Sequence, residues 1–180
     1  MTNGLVVMTP SSIAYSGTSA SINADGSVVF NACTSLSLNG VFTADYDNYM
    51  VAIRGVNTVN SNLLGRYRVG GTDNSTASSY VTQRLRASGT GVIGDKETTD
   101  KITRVAEIYA VTNWGVNAYF FGPYLTQPTA HRTVSVADGG SANLNDYAST
   151  HNQSTSYDGI TFYGDGGTFT GLLTVFGFNQ

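Results

Sequence analysis

Charge is what this chain has least of. Charged side chains make up 12% of its 180 residues, and lysine and glutamate occur twice each, where an ordinary soluble domain carries about double that fraction. A surface so poor in charge has little electrostatic solubility and is suited to packing against neighbours. The seven arginines are scattered singly and the net charge is −3. No basic run exists to follow a phosphate backbone, so nucleic acid is not expected as a partner. Cysteine occurs once, at Cys33, which excludes an internal disulfide framework and a CxxC zinc knuckle, and the residue reads as a small buried side chain of an early strand. Long apolar runs are missing as well. None approaches the ~20 residues of a membrane-spanning helix, so no membrane partner is expected. The opening MTNGLVVMTPSS lacks the basic segment of a secretory leader.

In place of charge the chain is rich in Gly, Ser, Thr and Asn, together 77 residues, and it carries 11 Tyr, 8 Phe and 1 Trp. Apolar residues recur at period two between clusters of turn formers, which is the pattern of short antiparallel strands. Gly4 to Met8 reads as a first strand. Ser19 to Ile22 and Ser27 to Ala32 read as a hairpin about Asn23-Ala24-Asp25-Gly26, where Asp-Gly supplies the positive φ of a tight turn. In the next strand Tyr49, Val51 and Ile53 alternate with Met50, Ala52 and Arg54. Leu63, Tyr67 and Val69 are expected inward with Arg66 and Arg68 outward, then Val81 and Leu85 inward with Arg84 and Arg86 outward. Ile102 to Val111 is assigned to a strand on its β-branched content, followed by strands over Asn117 to Gly122, Arg132 to Ala137, Gly159 to Tyr163 and Phe169 to Phe178. Three polar stretches, Gly70 to Ser79, Ala87 to Lys101 and Gly139 to Asp158, are expected to be loops. Ten to twelve strands without a convincing helix predict a single all-β domain over residues 1–180, a two-sheet antiparallel β-sandwich of the jelly-roll kind, with another sandwich or a closed barrel as the alternatives.

Catalytic constellations are poorly supported. The two histidines, His131 and His151, have no GxSxG serine near them. Asp45, Asp47 and Asp165 sit among Asn, Gly and Thr, where aspartate is ordinary turn chemistry rather than half of a glycosidase pair. Neither DYDN at Asp45 to Asn48 nor GDGG at Gly164 to Gly167 has EF-hand spacing. No enzyme activity, metal or cofactor is therefore expected. Two groups of residues remain as candidates. Phe42, Tyr46 and Tyr49, with Asp45 and Asp47, form an aromatic and acidic knot that reads as the anchor of one strand to the next. Tyr147, Asn152 and Tyr157 lie in the long polar stretch, a Tyr, Ser, Asn and Gly mixture of the sort found in recognition loops and suited to stacking on sugars.

The segment SINADGSVVFNACTSLSLNGVFTADYDNYMVAIRG, Ser21 to Gly55, resembles the opening of virion structural proteins of tailed bacteriophages. GTDNSTASSYVTQRLRASGT, Gly71 to Thr90, and the closing TGLLTVFGFNQ are similar to later parts of the same group. Met50 departs from the pattern, standing where a polar or basic residue is common. The resemblance implies a non-enzymatic β-sandwich that assembles as a homotrimer on the virion exterior after synthesis in the host cytoplasm. It does not select among decoration, head-fibre, minor tail and tail-fibre proteins. A short single domain with no fibre-like repeat or coiled-coil heptad points to capsid decoration, as a cement protein against a capsid or tail protein, with a tail-fibre or tail-tip module binding host glycans as the alternative. On this expectation the contact surfaces are the N-terminal strand, the outer faces bearing Arg66, Arg68, Arg84 and Arg86, and the long polar stretch.

Overall fold

The computed structural model describes residues 4–100, 102–138 and 142–179. These form fourteen strands and, among the described residues, no helix. In chain order they are β1 (Val6–Val7), β2 (Ser12–Ile22), β3 (Val28–Asn39), β4 (Asn48–Asn57), β5 (Ser61–Val69), β6 (Thr72–Asp73) and β7 (Tyr80–Ser88). The second half comprises β8 (Gly91–Asp100), β9 (Thr103–Ile108), β10 (Trp114–Phe121), β11 (Thr129–Asp138), β12 (Ala142–His151), β13 (Gly159–Gly164) and β14 (Phe169–Phe178).

The strands join in one strongly curled antiparallel sheet, ordered β6-β5-β13-β3-β14-β4-β10-β11-β12-β7-β8, with β1 on β14, β2 on β3 and β9 on β5. The curl has a local cause in the long β2–β3 hairpin. Its turn forms because the Asp25 carboxylate accepts the Ser27 amide and hydroxyl at 3.0 and 2.6 Å, while Gly26 takes a φ of 83°. Beyond the turn, β3 keeps β2 along one edge throughout. Its other edge pairs with β14 up to Cys33 and with β13 from Ser35. The changeover falls at Ala32, whose φ is 47°, opposite a register shift at Ser16/Gly17. A Cβ on Gly17 would lie 2.4 Å from the Ala32 carbonyl oxygen, so glycine is required where the two chains close at the bend.

Curling brings β9 over the inner faces of β7, β11 and β12 and encloses a core with two chemistries. One half is apolar, with Phe30, Leu36, Leu63, Phe162, Phe169 and Leu173 at its centre. The other half is polar. There β11 points His131, Thr133 and Ser135 inward, β12 points Asn145, Tyr147, Ser149 and His151 inward, and β7 points Tyr80, Thr82 and Arg84 inward, all of them buried. Hydroxyls tie these strands together, Ser149 donating to Thr82 at 3.0 Å and Thr82 pairing with Thr103 of β9 at 3.0 Å. Charge closes the seam. Arg84 pairs with Asp95 of β8 and Glu107 of β9, Arg86 reaches Glu107 at 3.3 Å, and Arg104 pairs with Glu97. Burial works against the Arg84 cation, yet the Asp95 hydrogen bond and the Glu107 charge overcome it and raise its pKa above the ordinary value.

The hairpin at Asp25-Gly26, the inward set Tyr49, Val51 and Ile53, buried Cys33 and the closing strand Phe169–Phe178 agree with the sequence reading. Other expectations are corrected. Ala87 to Lys101 is mostly strand, β8 turning back on β7 through Gly89 at φ 57°, although Lys101 lies outside the described residues. Half of Gly139 to Asp158 is β12, a strand held between β11 and β7, and Gly139, Gly140 and Ser141 lie outside the described residues. Its alternation is real, but the inward residues are Asn, Tyr, Ser and His, which an apolar pattern does not flag. On β7 the expected phase is inverted, because the seam needs Arg84 inside and therefore turns Leu85 outward.

Candidate interaction surface

With the inward positions spoken for, the outer face of the sheet is defined residue by residue through the pairing register. One row runs Leu172, Arg54, Gly115, Val136, Leu144, Ala87 and Val92 across β14, β4, β10, β11, β12, β7 and β8. The next runs Thr174, Ala52, Asn117, Val134, Asp146, Leu85 and Gly94 over the same strands. Seven strands at ~4.8 Å spacing make each row about 29 Å long. Large apolar side chains stand open along them: Val92 is 74% exposed, Leu85 56%, Val136 52% and Leu144 48%. Tyr119 and Phe121 add their exposed rings a little further along β10. Polar relief is sparse. It consists of Thr174, Asn117, the isolated Arg54, and Arg132 paired with Asp146 at 2.6 Å. Single exposed apolar residues are unremarkable, but contiguous rows of them mark contact surfaces.

Leu85 tests this assignment without any partner. If it faces solvent, Leu85→Ser changes stability by no more than ~0.5 kcal/mol. A loss of 2 kcal/mol or more, the ordinary result of truncating a core leucine, would put it inside and reverse the phase of β7.

The anchor residues come together. The Phe42 and Tyr49 rings lie 4.7 Å apart, and the Tyr49 hydroxyl accepts the Thr43 amide at 2.7 Å while lying 2.8 and 3.0 Å from the carbonyl oxygens of Thr43 and Tyr46. Tyr46 lies against the backbone of β14 at Gly177. The acids contribute less than their sequence position suggests. Both are exposed, Asp45 accepting the Thr43 hydroxyl at 3.2 Å, and it is the Asp47 amide rather than its carboxylate that binds, donating to Asn179 at 3.1 Å. Asp165 behaves as turn chemistry: its carboxylate takes the amide and side-chain nitrogens of Asn62 at 2.6 and 2.7 Å.

The four arginines do not share an outer face. Arg68 is buried and holds Thr161 at 2.7 Å, Asp73 at 3.5 Å and the Gly71 carbonyl. Arg84 and Arg86 belong to the interior seam, and Arg66 lies over the Tyr163 ring at 5.2 Å. Nor do Tyr147, Asn152 and Tyr157 form a sugar platform. Both tyrosines are fully buried, whereas a stacking ring must be open to its ligand, and exposed Asn152 donates to the Ser78 carbonyl at 3.1 Å.

Tyr157 belongs instead to a buried cluster with both histidines. His151 Nε2 and the Tyr157 hydroxyl are 2.6 Å apart, and Asn74 donates to that hydroxyl at 2.8 Å. The His151 ring stacks on Tyr80 at 4.1 Å, Tyr67 stacks on Tyr157 at 5.2 Å, and His131 Nε2 lies 3.3 Å from Thr103 Oγ1. Burial holds the pKa of His131 and of His151 down at about 4, so both rings are neutral at physiological pH. Burial likewise raises the Tyr67 and Tyr80 hydroxyls above their usual range and pushes Tyr147 up to about 12. Perturbed groups sometimes mark an active site. Here they are enclosed by the sheet, where the His151 Nε2 and Tyr157 hydroxyl pair with each other while His151 Nδ1 and the Tyr147 hydroxyl have no hydrogen-bond partner among the described residues.

Comparison with protein-family models, with curated proteins and with solved structures finds no match.

Proposed function

We propose that this chain is a non-enzymatic structural protein of a tailed-phage virion, most directly a decoration or cement protein that packs on the particle exterior and beside copies of itself. In this reading the curled sheet is a β-sandwich of the jelly-roll kind with the bend in β3 as a corner, and the assembly is a homotrimer. The observation that carries the reading is the outer face of β4, β10, β11, β12 and β7, on which Leu85, Val136 and Leu144 stand exposed and the charges are Arg54 and the Arg132–Asp146 pair. Such a face is costly to leave in water and useful when covered. It supplants the Arg-bearing faces and the long polar stretch as the contact surface. The resemblance of Ser21 to Gly55 to phage structural proteins supplies the kind of neighbour.

Immunogold electron microscopy of particles, with antibody against the recombinant chain, tests the reading. Gold over the head is expected. Gold confined to the tail tip would replace decoration by host recognition, and particles left bare under denaturing as well as native conditions would overturn the virion assignment.

A further inference from the structure

On the first outer row the sheet holds a groove of about 380 Å³, lined by Ala52, Arg54, Gly115, Val134, Val136 and Leu172. Its walls are mainly aliphatic, with Asn117 and Thr174 as polar exceptions, and its single cation is Arg54. Among the described residues Arg54 is the one arginine whose guanidinium has no ion pair, hydrogen bond or ring contact, every other being engaged. Gly115 keeps the groove open. It is paired directly with Arg54 and with Val136, its φ is not positive, and a Cβ built on it would meet nothing within 4 Å.

From these features we infer that the groove is the docking point for an extended segment of a partner protein that presents a glutamate or aspartate between aliphatic side chains. This rests on the packing function proposed above and gives the partner's chemistry. A planar carboxylate matches the two-pronged guanidinium. The aliphatic walls take the flanking side chains and exclude water, which strengthens the charged contact. A polyanion such as nucleic acid does not fit, since one arginine on a chain of net charge −3 cannot neutralise a row of phosphates. A small free acid would fill the groove but leave Leu144, Ala87 and Val92, which continue the same row, uncovered. A protein segment lying across the strands covers both.

The test is an amide chemical-shift titration of the 15N-labelled chain with the capped peptide Ac-Ala-Val-Glu-Leu-Ala-NH2 and with the same peptide carrying Gln for Glu. Saturable shifts centred on Gly115, Val136 and Leu172 are expected for the Glu peptide. Binding should weaken about tenfold or more for the Gln peptide and for Arg54→Gln, a loss in keeping with one charge-assisted pair. Gly115→Leu, whose Cβ enters open space at the groove, should abolish the shifts while the rest of the spectrum stays intact. Equal binding of the two peptides, no saturable shift, or shifts centred elsewhere would overturn the inference. Gold labelling of particles by the unaltered chain separates the two claims: a labelled head with an inert groove removes the groove and leaves the packing function standing.

Discussion

Tyr49→Ala is expected to lower the unfolding free energy by ~3 kcal/mol or more, the cost of emptying a fully buried aromatic site, and to abolish soluble assembly. The ring is one of the largest buried side chains and packs on Phe42, which in turn lies 5.9 Å from Phe120. Its hydroxyl has a separate role. It is the common partner of the Thr43 amide and of the carbonyls of Thr43 and Tyr46, so one phenol oxygen fixes the turn that delivers β4 into the sheet. Tyr49→Phe keeps the packing and strands those backbone groups, at a cost of about 1–3 kcal/mol. Urea unfolding of both variants measures the two parts. An unchanged melting temperature for Tyr49→Ala would rule out the anchor.

Acid should destabilise the protein well before its carboxylates titrate. In the unfolded chain both histidines bind protons near pH 6.5, whereas folded His131 and His151 resist protonation down to about pH 4. Between those limits the unfolded state carries more protons, so stability is complete above pH 6.5 and falls as pH falls through the window. For the two rings together the loss between pH 7 and pH 5 comes to ~4 kcal/mol. Urea midpoints at the two pH values, with imidazole titrations followed by NMR, measure it. The double variant His131→Gln, His151→Gln should lose this slope. Equal stability at pH 7 and pH 5 would mean that the rings are not held neutral by burial.

The sequence was most legible where the core is apolar. Alternation at Tyr49, Val51 and Ile53 and the run from Phe169 to Phe178 located β4 and β14 and their inward faces, and Asp25-Gly26 located the β2–β3 turn. It was least legible in the polar half of the interior. A rule that sends leucine inward and arginine outward inverts β7, because what makes Arg84 acceptable inside is Asp95 and Glu107, 11 and 23 residues away along the chain. The same rule makes β12 look like a loop, since its inward side chains are Asn145, Tyr147, Ser149 and His151. Aromatic residues among Ser and Asn suggest a recognition surface, yet Tyr147 and Tyr157 are buried against polar neighbours. The apolar outer face was hidden too. Val136 stands in an expected strand whose face the pattern leaves open and Leu144 in an expected loop, and only register and burial place both on the solvent side.

The exposed face is central to the proposed virion function, and co-sedimentation of the purified chain with phage particles lacking it, the binding that this proposal expects, tests that face most directly. Val136→Lys with Leu144→Asp puts an opposite-charge pair at directly paired positions of the outer face and leaves the interior alone. The account predicts that the double variant folds with an unchanged circular dichroism spectrum and melting temperature yet stays in the supernatant, while the unaltered chain pellets with the particles. Pelleting of both to the same extent would contradict it.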